Sequence, residues 1–453
     1  MLRVLLRLVV VVAFLVTVLS GMAYAQSAAG KTDSAGASSP TSAGAQPQEK
    51  QPQEVRDAIE LFRKGDYEGT LKLLKEAAQK SPGLPSARLV MAQLFSQSGN
   101  AAAARNSLEM AVIENPEDPH PYGIMADVAV RERRVTEALL LYEKANTLVT
   151  GWKGPAEQKT GLQTQIYHGM AVAYELRGNW AQAQKELEAL LKIDPKNVNA
   201  YQELARCLFQ QGNPDGALEK LKQAAKLDSS ILLPETTLAQ YYARSGDQKN
   251  ANQWLMKALT LAPRDLKTRL VAAEWAVQVG QLKDAKTQAD AALKLDPKSV
   301  EAKNLCGIVA LFEKDYKTAE LYFESAHIAA PKSFVATNNL ALALAEQKDK
   351  QKRQRALEYA ENNVRQYPRV GDALSTYGWV LYKLGRLDEA EKALTASAQT
   401  GTFGADAAYY LACIFIDRGK EAEARQLLEG ALKAPGPFPQ REEAQELLKK
   451  LRR

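Results

Sequence analysis

A 34-residue beat runs through most of this 453-residue chain, and no other feature narrows the possible folds so much. Its marks are short turn positions where glycine meets polar residues: Gly65, Gly99, Gly178, Gly212, Gly246, Gly280, Gly385 and Gly419. Arg133, Lys314 and Lys348 stand in the same series without glycine. Five residues after the marker comes alanine, at Ala104, Ala138, Ala183, Ala217, Ala251, Ala285, Ala319, Ala390 and Ala424. Seventeen residues after it comes proline in many units, at Pro82, Pro116, Pro195, Pro263, Pro297 and Pro331. Chance does not hold three interleaved series in register.

The physics of one unit follows from these positions. Apolar residues before the marker (Ala239, Tyr242, Ala243) and after it (Ala251, Trp254, Leu255, Ala258, Leu259) recur at three- and four-residue intervals, the mark of two amphipathic helices. Glycine between them permits the left-handed backbone that closes the first helix. Proline stops the second helix and presets the next entry. Small residues at fixed points let the two helix backbones approach. Such a hairpin cannot bury both apolar faces alone and must stack on its neighbours.

The unit at 300–333, with Leu305, Gly307, Tyr316, Ala319, Phe323, Ala326 and Pro331, resembles the tetratricopeptide repeat. So does the unit at 371–404, with Tyr377, Gly378, Leu381, Gly385, Leu387 and Ala390. The resemblance implies an all-α, right-handed superhelical solenoid of about eleven helical hairpins, starting at 51, 85, 119, 164, 198, 232, 266, 300, 334, 371 and 405 and covering 51–438. Thr70 stands where alanine is expected, and Pro435-Gly436-Pro437 replaces the usual final stop. About eleven extra residues, 153–163, separate the third and fourth units; Pro155 is placed to start a lengthened helix running to Arg177. A three-residue insertion falls within 348–355, and both insertions are expected to map to loops. Residues 439–453, with Leu447, Leu448 and Leu451 on one edge, read as a capping helix over the last hairpin.

Ahead of the repeats, residues 1–25 read as a secretory signal. Arg3 and Arg7 precede an apolar run from Leu8 to Leu19, and Ala23-Tyr24-Ala25 gives a cleavage site before Gln26. The expected location is therefore the periplasm or outside the cell; without cleavage, residues 8–24 would be a membrane anchor and the protein's one membrane contact. Residues 26–50, rich in Ala, Ser, Gly, Pro and Gln, read as a disordered leader.

Chemistry is scarce. Three His and three Cys cannot readily build a multi-ligand metal centre. No phosphate-binding loop, dinucleotide fingerprint or nucleophile elbow is present, so the chain reads as a non-enzyme that needs no cofactor. A net charge of +6, partly from Arg3 and Arg7, argues against nucleic acid as a partner. Cys207, Cys306 and Cys413 fall on first helices of different units and read as core thiols.

What the repeat resemblance implies is a concave groove lined by first helices, able to hold a partner protein or peptide. Projected onto this sequence, the family's groove positions fall on His168, Glu175, Gln202, Arg206, Gln210, Gln240 and Arg244, a polar strip. Glu274, Asn304, Ile308, Asn338 and Leu342 follow as a more apolar stretch, then Trp379 and Tyr382. Asn304 and Asn338 lack the full set of basic residues that flanks asparagines in carboxylate-gripping relatives. The expected role is a protein-binding scaffold of the cell envelope, with two alternatives: a self-assembling structural component, or an accessory to secretion or polysaccharide export. The oligomeric state is left open.

Overall fold

The computed structural model describes residues 52–81 and 84–452. The signal at 1–25, the leader at 26–50 and Pro82 lie outside the described residues. Among the described residues there are 23 α-helices and no strand. Two compact units divide the chain between Trp254 and Leu255. The amino unit contains α1 (Gln53–Arg63), α2 (Tyr67–Lys80), α3 (Ala87–Gln97), α4 (Ala101–Glu114), α5 (Pro119–Arg131), α6 (Val135–Gly151), α7 (Ala156–Leu176), α8 (Trp180–Ile193), α9 (Val198–Gln210), α10 (Pro214–Leu227) and α11 (Pro234–Arg244). The division falls within α12 (Gln248–Leu261). The carboxyl unit contains α13 (Leu266–Gln278), α14 (Leu282–Leu295), α15 (Val300–Phe312), α16 (Tyr316–Ala329), α17 (Phe334–Ala345), α18 (Lys350–Gln366), α19 (Gly371–Lys383), α20 (Leu387–Gln399), α21 (Ala405–Asp417), α22 (Glu421–Lys433) and α23 (Arg441–Leu451).

The turn inside each hairpin explains the marker series. Gly178 has φ +70°, so the chain reverses while Asn179 N–H donates to the Tyr174 carbonyl at 2.9 Å. That bond closes the end of α7 in a Schellman arrangement. The Asn179 side chain then accepts from Gln182 N–H at 3.3 Å and caps α8, so one dipeptide ends a helix and starts another. Arg133 (φ 61°) and Lys314 (φ 60°) take the same left-handed conformation with a side chain attached. Lys348 does not. There α17 stops at Ala345, and Asp349 caps α18 by accepting from Gln351 and Lys352 N–H at 2.8 and 3.0 Å.

Behind the turn, the small residue sits where two helices cross. Ala138, Ala183, Ala217, Ala285, Ala319, Ala390 and Ala424 are completely buried. Thr70 is also fully buried in this position, its hydroxyl satisfied by donating to the Asp66 carbonyl at 2.6 Å. Gly307 faces the Phe323 ring so closely that an added Cβ would lie 2.5 Å from it. First helices also touch one another, α5 with α7 and, in the carboxyl unit, α13, α15, α17, α19 and α21 in series, so each unit has a face made of first helices. The carboxyl core runs without interruption from Ala310 to Leu448.

Both insertions are absorbed by helices rather than loops. Helix α6 has 17 residues and α7 has 21, against 14 and 13 in α10 and α9. Helix α18 has 17 residues against 14 in α16. Its basic residues are tied to neighbours: Lys352 to Glu320, Arg355 to Glu324 at 2.8 Å, and Arg353 to the Lys383 carbonyl at 2.9 Å.

A left-handed conformation strains any residue with a Cβ by about 1–2 kcal/mol. Replacing Arg133 by glycine removes that strain but adds freedom to the unfolded chain, leaving an expected gain of about 0.5–1 kcal/mol. Thermal unfolding of Arg133→Gly beside Gly178→Ala checks this: the first should unfold at higher temperature than the parent, the second lower.

Candidate functional site: the first-helix faces

In the amino unit the first-helix face carries an interlocked polar strip. Asp127 on α5 accepts from Gln165 Nε2 on α7 at 2.6 Å and from the Tyr142 hydroxyl. Also on α7, His168 Nε2 lies 3.1 Å from Glu203 Oε1 on α9. Glu175 pairs with Arg206 and accepts from the Cys207 thiol at 3.3 Å, while Tyr241 donates to the Gln202 carbonyl at 3.3 Å. The sequence-derived residues are thus partly joined: Glu175 touches Arg206, and His168 touches Glu203, a residue outside the expected set. Gln210 and Arg244 are exposed at the ends of α9 and α11; Gln202 and Gln240 are half-buried.

Charge in this strip is balanced locally. The bond to Glu203 raises the His168 pKa above its ordinary 6.5, against the opposing pull of desolvation. Burial raises the Glu175 carboxyl, with Arg206 acting the other way. The arrangement offers an imidazole, a guanidinium and amides in a row, all able to hydrogen-bond a polar chain.

The carboxyl unit presents a different face. Glu274 is exposed, and Ile308 and Leu342 are half-buried against the core. Asn304 and Asn338 are buried, each with a side-chain oxygen that has no hydrogen-bond partner. Trp379, expected to line an open groove, is only 3% exposed. It is covered because its ring stacks on Tyr382 (5.0 Å) and Tyr410 (4.1 Å) while its Nε1 donates to Glu346 at 2.8 Å. Lys383 completes the cluster, donating to Glu346 at 2.7 Å and sitting 4.4 Å above the Trp379 ring. Glu346 and Lys383 were not singled out from sequence, although a signal existed. Glu346 lies four 34-residue periods beyond Gln210, and Lys383 holds the same place one unit later, after the three-residue insertion.

Among the described residues no group of three or more His, Cys, Asp and Glu could hold a metal ion, and no helix is long and apolar enough to cross a membrane. All three thiols are buried and free. Burial pushes the Cys306 thiol up to about 12 and Cys413 up to about 11, and it raises Cys207 as well.

Two outcomes follow. By proton NMR, His168 should titrate above 6.5, and Glu203→Gln should lower its midpoint. A raised folded-state pKa stabilises fully below the unfolded value and fades as pH rises through the folded one, so Glu203→Gln should cost more stability at about pH 5.5 than at about pH 8. Thiol-specific reagents should label the native chain at least about a thousandfold more slowly than the denatured chain, because attack waits for the thiolate and for local opening.

Family models described as tetratricopeptide repeat match residues 61–128, 174–230, 236–265, 270–334 and 340–404. No curated protein matches the sequence. Among solved structures, a tetratricopeptide repeat protein from Parabacteroides merdae aligns at 15% identity over 64% of this chain and 99% of its own, with a TM-score of 0.42. Yeast Tom70 aligns at 15% identity over 88% of this chain and 95% of its own, TM-score 0.37. PilW, a type IV pilus biogenesis factor, aligns at 20% identity over 48% of this chain and 97% of its own, TM-score 0.38. With the repeat models matched across more than half of its length, the chain belongs to the tetratricopeptide-repeat family.

Proposed function

We propose that this protein is a non-catalytic scaffold, exported to the cell envelope, that holds an extended segment of a partner protein along the first-helix face of its amino unit. Protein-interaction scaffolding is the general role that the tetratricopeptide repeats support. The observation that carries the specific reading is the polar strip from Gln165 to Arg244. Cross-helix pairs hold His168 to Glu203 and Arg206 to Glu175, with Glu203 Oε2 and Arg206 Nε buried and unpartnered, while His168, Arg206, Gln210 and Arg244 keep polar atoms toward solvent. A preorganised row of donors on three successive first helices, α7, α9 and α11, suits main-chain carbonyls and acidic side chains of an extended peptide. The signal-like residues 1–25 support export.

Arg244→Glu tests the surface. It reverses one exposed charge at the end of α11 and should leave thermal unfolding unchanged. Crosslinking pull-down of the tagged full-length protein from its own cells should then recover at least about tenfold less of the partner than the parent does. Unchanged recovery would remove this face from the interaction. Mass spectrometry of the same material should find Gln26 at the N-terminus; an N-terminus upstream of Leu8 would make the protein membrane-anchored instead.

A further inference from the structure

Along the helix ends and hairpin turns that edge it, the carboxyl unit's first-helix face is covered by the chain's own tail. After α22 ends at Lys433, three residues bring the backbone to Gly436, where an added Cβ would lie 3.8 Å from the Gln278 carbonyl at the end of α13. Pro437 borders the neighbouring turn, 3.9 Å from where a Cβ on Gly280 would stand. Phe438 is 6% exposed and meets Tyr409 on α21 at 6.5 Å between rings. Gln440 Nε2 lies 3.5 Å from Glu346 Oε1, the carboxylate held by Trp379 and Lys383. Glu443 and Glu442 then meet Lys314 at 2.7 and 3.6 Å. Residues 434–443 therefore touch the ends of first helices or hairpin turns in the units starting at 266, 300, 334 and 405.

Three features bear on how firmly this strap is held, the second of them shared with Asn304 and Asn338 in the hairpins it crosses. Its backbone is irregular from Ala434 to Gln440, where the rest of the unit is stacked helix. Its polar fit is incomplete: Gln440 Oε1 and Glu443 Oε2 are buried with no hydrogen-bond partner, which makes closure costly in desolvation. Its far end is pinned elsewhere, since the Leu451 carbonyl accepts from Arg425 and Arg452 pairs with Glu429 at 2.8 Å, both on α22. The strap can thus leave its seat while both ends stay attached.

We propose that the first-helix face of the carboxyl unit is a second docking site, for an extended partner segment in which a proline-flanked aromatic residue is followed by an amide and then by two carboxylates, and that residues 434–443 fill it as a resident competitor. The tail shows which chemistry fits: an aromatic ring beside Tyr409, an amide at Glu346, and acid at Lys314. Held in cis, it acts at the high effective concentration of a short tether, so a partner gains access only by outcompeting it or by binding after it has loosened. This site rests on the general reading of first-helix faces as peptide-binding surfaces, but it is independent of the strip around Arg244.

The test uses a fluorescent synthetic peptide with the sequence of residues 434–445 and the full-length chain, read by anisotropy. The parent should bind weakly, and Phe438→Ala, which loosens the strap, should bind at least tenfold tighter. Adding Lys314→Glu should cancel that gain, and a peptide with Glu443→Lys should restore it. A Phe438→Ala chain that keeps the parent's thermal unfolding but binds no tighter would overturn the proposal. Should Phe438→Ala unfold the carboxyl hairpins, amide exchange in the parent decides. Faster exchange at Gly436, Phe438 and Gln440 than in α21 supports a displaceable strap; equal protection makes it fixed core and overturns the idea. Loss of partner recovery in Arg244→Glu, whichever way the peptide behaves, belongs to the amino-unit reading alone.

Discussion

Everything in this molecule depends on a two-residue turn that ends one helix and starts the next within a single dipeptide. Its first residue takes the left-handed backbone; its second sends its N–H back to a carbonyl five residues earlier. Where that second residue is Asp or Asn, as at Asp66, Asn100, Asn179, Asn213 and Asp315, its side chain also caps the following helix. The reversal is tight enough that the two helices must cross within a few residues, and the crossing point then admits almost nothing larger than alanine. From these two requirements, a left-handed turn and a small residue five positions on, the period, the stacking and the first-helix face all follow. Arg133 and Lys314 show how firmly the stack imposes the geometry, since they hold it against their own steric preference.

Much of this was legible in the residues because the forces involved are local. Turn glycines, buried alanines and terminal prolines lie within one hairpin, so their spacing exposes them. The lengthened helix after Pro155 was legible, whereas the fate of the second insertion was harder to read. A run such as Lys350-Gln351-Lys352-Arg353 has no apolar stripe to announce a helix, and its helicity comes from the Asp349 cap and from ion pairs to α16. Trp379 stood at a position where a groove was expected; its burial by Tyr410 and its bond to Glu346 depend on two further units. The strap was least visible. Residues 434–440 carry no periodicity, and the contact that seats Gln440 joins residues 94 positions apart.

The two units use the same framework for different surface chemistry. In the amino unit the inner face is laced by carboxylates with an imidazole, a guanidinium and an amide, and its free atoms are polar. In the carboxyl unit the later first helices hold Trp379, Tyr382 and Tyr409 around the Glu346–Lys383 pair. Neutral aromatic faces seek cover from water, whereas paired ions in a half-exposed strip do not. That contrast explains why one face is left open and the other has drawn in a length of its own chain.

The lengthened helices carry a consequence for how such an array can grow. Helix α6 is three residues longer than its counterpart α10, and α7 is eight longer than α9. Together they absorb the eleven added residues, about 0.8 of a turn in α6 and about 2.2 turns in α7. The three residues added to α18 are close to one turn. The residues added to α6 lie at its carboxyl end and those added to α7 at its amino end, so Ala138 and Ala183 keep their places five residues after Arg133 and Gly178. Growth in this architecture is therefore terminal: a helix lengthens outward past its crossing alanine, and the packing of the hairpin behind it keeps its spacing.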